Sequence, residues 1–204
     1  MISFDIENEA RARGFAVIAG VDEAGRGPLA GDVYAGAVIL PEGYDVSGLN
    51  DSKKLTEKKR ELLFEKLTGD PSVSWAVGIA TVAEIDEINI LNAAFLAMRR
   101  AAEGLSVRPD LLLVDGNKAP KTGFPEQTVI KGDALSYSIA AASIIAKVSR
   151  DRYMKTLAQR YPEYQFEKHK GYGTALHYEM IRKYGVSPVH RRTFLKNFEE
   201  KHNG

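Results

Sequence analysis

Cysteine is absent from all 204 residues. That excludes disulfides and thiolate metal sites, so any bound ion must be held by oxygen or nitrogen. It also fits a reducing compartment, and a cytoplasmic location is expected. Long hydrophobic runs are missing too, and none approaches the length needed to cross a bilayer. The first ten residues carry Asp5, Glu7 and Glu9, the wrong charge for a secretory leader, so no membrane partner is expected. Net charge is almost nil, at +1 from 28 Lys/Arg and 27 Asp/Glu. Low-complexity linkers and internal repeats do not occur. The length suits one sizeable core with a smaller appendage.

What charge there is lies unevenly. Residues 150–204 hold 12 Lys/Arg against 6 Asp/Glu, whereas residues 1–149 hold 16 against 21. An acidic body with a basic tail can pair a carboxylate metal site with a phosphate-gripping surface, or simply carry a solvated basic helix pair. Composition leaves both open.

Apolar periodicity predicts strands over 15–21 and 34–40, and the nearby Gly25, Gly27, Pro28 and Gly31 favour a tight connection. So short a link makes this pair antiparallel, because a parallel pair needs a long crossover. A helix is predicted over 56–67 with Thr56 as its cap, and a strand over 73–80. Thr81 to Glu84 forms a capping box opening a helix that Gly104 stops. Further strands are expected at 111–114 and 127–130. The alanine-rich stretch 136–160 reads as a helix packed closely on the sheet, and shorter helices are expected over 175–183 and 191–201. The expected division is an α/β core over 1–150 and a basic helical segment over 151–204, together one structural unit.

Acidic residues stand where these strands end: Asp22 and Glu23, Asp115, and Asp133 just after the last strand. Ligand sites of open α/β sheets lie outside strand carboxyl ends. Clustered carboxylates repel unless a cation sits between them, and all-oxygen donors favour Mg²⁺ or Mn²⁺. Neighbouring strand residues point to opposite faces, so Asp22 and Glu23 reach one site only if the strand breaks at Gly25 or one contributes its carbonyl. On spacing alone these four do not outrank Asp51, Asp110 or Asp151. Asp151, between Arg150 and Arg152, is better read as a local ion-pair partner.

The segment Gly20-Val21-Asp22-Glu23-Ala24-Gly25-Arg26-Gly27-Pro28-Leu29-Ala30-Gly31 resembles the signature of the type 2 ribonuclease H family, ribonuclease HII. Further matching stretches follow in order: Asn50 to Leu55, Val114-Asp115-Gly116-Asn117, Lys131-Gly132-Asp133, Ser138 to Val148, and His169-Lys170-Gly171-Tyr172-Gly173-Thr174. The resemblance spans nearly the whole chain. It implies a ribonuclease H-like fold, a mixed five-stranded sheet flanked by helices with a C-terminal helical extension. It implies a catalytic, metal-binding set of Asp22, Glu23, Asp115 and Asp133 using Mn²⁺ or Mg²⁺, two ions during catalysis. It further implies hydrolysis of RNA in RNA/DNA hybrids and cleavage 5′ to ribonucleotides embedded in duplex DNA, leaving 5′-phosphate and 3′-hydroxyl.

Substrate-binding residues implied by the same motifs are Gly25, Arg26 and Gly27 at the 2′-hydroxyl, Lys53 and Lys54 at phosphates, Asn117, and Tyr172 stacking on the junction sugar. Glycines at 25 and 27 suit this role, since they let backbone approach a ribose. Lys58, Lys59 and Arg60 are expected to be solvated. The four histidines, His169, His177, His190 and His202, are expected at the surface or against substrate, with no role as general base. Asp32 and Tyr34 depart from the family pattern, and the extra charge of Asp32 is expected to perturb metal affinity weakly. Two alternatives stand beside this reading: a ribonuclease HIII-like enzyme, which typically has an added N-terminal domain and lacks the Gly-Arg-Gly loop, and a non-catalytic hybrid-binding module. A monomer is the default expectation.

Overall fold

The computed structural model describes residues 2–196. A short helix, α1 (Asp5–Ala12), precedes the strand pair β1 (Ile18–Ala24) and β2 (Val33–Ile39). Next come α2 (Glu57–Gly69), β3 (Ser74–Ala80), α3 (Val82–Glu103), β4 (Leu111–Asp115) and β5 (Glu126–Val129). The long helix α4 (Tyr137–Arg160) crosses residue 150 and leads to α5 (Phe166–His169) and α6 (Ala175–Tyr184). Residues 192–196 are helical. The helix expected over 191–201 thus begins one residue late, and its remainder, with His202, lies outside the described residues.

The strands form one mixed sheet in the order β3-β2-β1-β4-β5. β1 pairs antiparallel with β2 and parallel with β4, and β4 pairs parallel with β5. The chain therefore has the expected ribonuclease H-like α/β architecture. α4 lies on one face, against Gly20 and Gly36, where a Cβ would run into the backbones of Ser138 and Ala142. That close approach is what the alanines of α4 permit, and Ala140, Ala141 and Ala142 are fully buried. α3 covers the other face, packing Ala93, Ala97 and Ala101 with Ala19, Val21 and Val114 of the sheet.

Caps set the helix positions. Thr56 accepts from Lys59 N, and Thr81 with Glu84 forms the predicted capping box. Inside α3, Asn89 takes a positive φ of 66° and its side chain accepts from Leu91 N and Asn92 N, so a second helical run starts there. α1 was not expected. Its buried Glu7 accepts from Ser136 Oγ at 2.7 Å and Ser138 N at 3.0 Å, fastening the N-terminal segment to the start of α4.

Candidate active site

β1 runs three residues further than predicted and keeps its pleat through Glu23, so Asp22 and Glu23 do face opposite ways. Asp22 shares its face with Gly20, towards α4. It lines a cavity of about 130 Å³ with Lys53, Ser143, Lys147, Arg150 and Tyr172. Glu23 faces α3 and borders a second cavity of about 290 Å³ with Asp115, Asn117, Lys118 and the apolar wall of Phe95 and Met98. The kink at Asn89 starts the turns that carry this wall. Because Glu23 borders both cavities, the acidic edge of β1 divides a single cleft.

Register brings the other two acids alongside. Val21 pairs with Val114, which sets Asp115 next to Asp22 at the end of the parallel pair. Asp115 accepts from Gly132 N at 2.6 Å, which ties it to the turn holding Asp133. Gly132 itself is pressed between Ile139, Val129 and the Asp115 carboxylate. The only ammonium bonded to the acids among the described residues is Lys53, whose Nζ lies 3.0 Å from Asp133 Oδ2. Arg26 Nη1 lies 3.2 Å from Glu23 Oε1.

Electrostatics follow from that placement. Burial pushes the Asp22 carboxyl well above the usual range, and repulsion from Glu23, Asp115 and Asp133 adds to it. Glu23 is raised by burial although Arg26 opposes the shift, and Asp115 is raised by burial and then by Asp133. Lys53 is pushed up by its bond to Asp133. Among the described residues no three acids or imidazoles are drawn into a closed ligand set. What exists is a carboxylate cluster short of positive charge, held on rigid elements.

The remaining sequence expectations divide. Gly25, Arg26 and Gly27 form a loop beside the acids in which Gly25 is buried and Arg26 and Gly27 are exposed, and Tyr172 is 46 % exposed with its ring near Gly27. Asn117 borders the larger cavity, while Lys54 is exposed and borders neither. The three competing aspartates have other partners: Asp110 accepts from Ala16 N and Val17 N, Asp51 from Lys53 N, and Asp151 pairs with Lys147 at 2.6 Å.

Two expectations are overturned. His169, His177 and His190 are buried rather than at the surface, because they pack on one another, His169 stacked on His177, and meet the Phe166 ring edge-on or tilted in the C-terminal core. Arg60 is not solvated: Nη1 donates to Ser52 O and Leu55 O and so fixes the turn of Lys53. Asp32, where a weak effect on metal affinity was expected, has partners of its own. It accepts from Val82 N at the start of α3 and from Tyr153, whose ring packs on Tyr34, so the two departures from the family pattern form one contact. Lys118, Ser143, Lys147 and Arg150 border the cleft and were missed. Of these, Ser143 and Lys147 lie inside the matched stretch 138–148, the one signal pointing to them.

Comparison with known proteins agrees with this geometry. Residues 19–197 match the family model described as Ribonuclease HII. A protein named Ribonuclease HII from Caldicellulosiruptor bescii is 54% identical over 194 residues, 95% of this chain and 94% of the relative. The crystal structure of the ribonuclease H2 from Pyrococcus horikoshii OT3 superposes with a TM-score of 0.76 at 32% identity, covering 92% of this chain and 99% of that one. Bst-RNase HIII in complex with Mn²⁺ shares the fold, with a TM-score of 0.70 at 18% identity over 86% of this chain and 65% of that one.

Proposed function

The chain belongs to the ribonuclease HII family of metal-dependent nucleases, and from that premise we propose that it hydrolyses the RNA strand of RNA/DNA hybrids and cuts 5′ to single ribonucleotides in duplex DNA. The products are a 5′-phosphate and a 3′-hydroxyl. The observation that carries the reading is the cluster of Asp22, Glu23, Asp115 and Asp133 at adjacent strand ends, where three of the carboxyls are raised by burial and by one another.

Such a cluster fits Mg²⁺ or Mn²⁺. Its donors are carboxylate oxygens without sulfur or imidazole, and Lys53 alone bonds to it as a compact cation. A pair of bound divalent ions supplies an activated water and charge neutralisation at the leaving 3′-oxygen. The protein holds the four carboxylates in place through the strand register and the Gly132–Asp115 bond. Lys53 in the cleft and the exposed Lys54 beside it meet phosphates, Asn117 contacts substrate from the larger cavity, the basic segment after residue 150 extends that surface, and Tyr172 packs on the sugar at the junction. The Gly25-Arg26-Gly27 backbone senses the 2′-hydroxyl. The protein works as a cytoplasmic monomer.

The test is cleavage-site mapping on a duplex with one embedded ribonucleotide, with Mg²⁺, with Mn²⁺ and in excess chelator. A single cut on the 5′ side, lost in chelator, is expected; cleavage undiminished by chelator overturns the metal site. Tyr172→Ala is expected to slow cleavage of the single-ribonucleotide duplex at least as much as that of a long hybrid. The opposite ranking removes its junction role.

A further inference from the structure

Two guanidiniums are buried beneath the Gly25-Arg26-Gly27 loop, and neither makes a salt bridge among the described residues. Arg191, fully buried, spends every donor on main-chain carbonyls: Nη2 on Gly25 O at 2.6 Å, Nη1 on Arg26 O at 3.0 Å and Pro28 O at 2.8 Å, and Nε and Nη2 on Gly31 O. Arg150 bonds Ala30 O, Asp32 O and Lys170 O. Its side chain occupies the space a Cβ at Gly25 would need, and Gly25 sits at φ +101°. Burying a cation this way is costly; the carbonyl acceptors satisfy its donors, the Phe194 ring lies 5.3 Å from the Arg191 guanidinium, and the Asp32 charge acts on both arginines from nearby.

The consequence lies on the other edge of each peptide. In a planar trans peptide the N–H points opposite to the preceding C=O. Holding Gly25 O on Arg191 therefore turns Arg26 N–H away from the guanidinium, and holding Arg26 O does the same for Gly27 N–H. The next fixed peptide behaves this way: Pro28 O meets Arg191 while Leu29 N donates outward to Gly171 O at 2.8 Å. Arg26 and Gly27 are exposed, and their amides have no acceptor among the described residues. They border the cleft beside Glu23 and the Tyr172 ring.

We infer that Arg191 is a positioning residue for substrate selection, locking the loop so that the Arg26 and Gly27 amides stand as a preformed donor pair for the ribose 2′-hydroxyl. The inference rests on the reading that this loop senses that group. It assigns to the C-terminal segment a part in telling RNA from DNA that lysine cannot fill, because an ammonium carries three donors and no planar fork.

The decisive measurement is the ratio of affinities for a duplex with one ribonucleotide and the same duplex in all-DNA form, in an Asp115→Asn background that does not consume substrate. Arg191→Lys is expected to lower this ratio about tenfold, the weight of one or two lost hydrogen bonds, while affinity for the all-DNA duplex holds. A merely structural role would lower both affinities together. A parent with the preference and an Arg191→Lys variant that keeps it overturns the inference alone. A parent without any preference overturns the reading of the loop as well. Should the variant fail to fold, the Asp115→Asn parent still decides: its Arg26 and Gly27 amide resonances should shift more with the ribonucleotide duplex than with the all-DNA duplex, and equal shifts overturn the inference together with the reading of the loop.

Discussion

Two clusters of titratable side chains sit in this molecule, and burial drives them in opposite directions. The carboxylates of Asp22, Glu23 and Asp115 are pushed up, and among the described residues the ion-pair partners of the acidic cluster are the Lys53 ammonium on Asp133 and the Arg26 guanidinium on Glu23. The imidazoles of His177 and His190 are pushed down, each to about 4, first by burial. Theirs is a closed circuit. Ser187 N donates to His190 Nδ1, so the His190 proton lies on Nε2 and is given to His177 Nε2 at 3.0 Å; His177 Nδ1 then donates to Tyr172 O. Every ring nitrogen in that chain is matched in the neutral state. A satisfied cluster acts as scaffold, and an unsatisfied one marks where charge must arrive from outside.

The sharpest way to break this comparison is to remove one acid. Asp115→Asn keeps an acceptor for Gly132 N, so the turn of Asp133 survives, but it removes a full charge from the cluster. Turnover is expected to fall on the order of 10³-fold, the scale of losing one element of transition-state charge stabilisation. Affinity for the ribonucleotide duplex should stay within a few-fold. Wild-type turnover in this variant would show that the cluster is no more a metal site than the histidines are.

The second test acts on the scaffold through pH. An imidazole with a folded pKa of about 4 and an unfolded value of 6.5 leaves stability whole above pH 6.5. Stability is then lost as pH falls towards 4, by about 3 kcal/mol for the first ring to charge. The acids work the other way, since protonation relieves their repulsion. Urea unfolding at pH 7 and pH 4.5 should show a net loss, and His177→Gln, which cannot charge, should lessen it. An acid dependence unchanged by that substitution would mean the imidazoles are not the groups titrating.

How far the sequence revealed each cluster follows from the range of the interactions involved. Strands and caps were legible within a few residues, because Leu111 to Val114 or the Thr81–Glu84 box carries its signal locally. The four acids were legible as strand-end residues, yet only motif resemblance separated them from Asp51 and Asp110. The histidines were misplaced because the partners that bury them, Tyr164, Phe166 and Ser187, belong to a packed core of short elements with no periodicity to read. Glu7 and Arg191 escaped for a different reason: their hydrogen-bond partners lie more than a hundred residues away in the chain. Arg60 looked solvated because a basic run normally is, and its partners are the turn at Lys53 and the Asp151 carboxylate 3.9 Å away.

The smallest effect separates the clusters by sign. With its folded pKa raised, the Asp22 carboxyl weighs against folding once pH climbs past its unfolded value, and that cost grows until pH passes the folded value. Asp22→Asn retains an acceptor for Glu23 N, which now bonds Asp22 Oδ1 at 2.7 Å. Without divalent ions this variant should therefore be more stable than the parent, by about 0.5–2 kcal/mol, the range of exchanging activity for stability at a strained site. Adding Mn²⁺ should stabilise the parent more than the variant and narrow the gap. The corresponding change in the scaffold, His190→Asn, should only destabilise, because it opens a circuit already complete. Thermal unfolding of both variants with and without Mn²⁺ measures the two signs side by side, and an Asp22→Asn protein less stable than its metal-free parent would mean the acids are not in conflict.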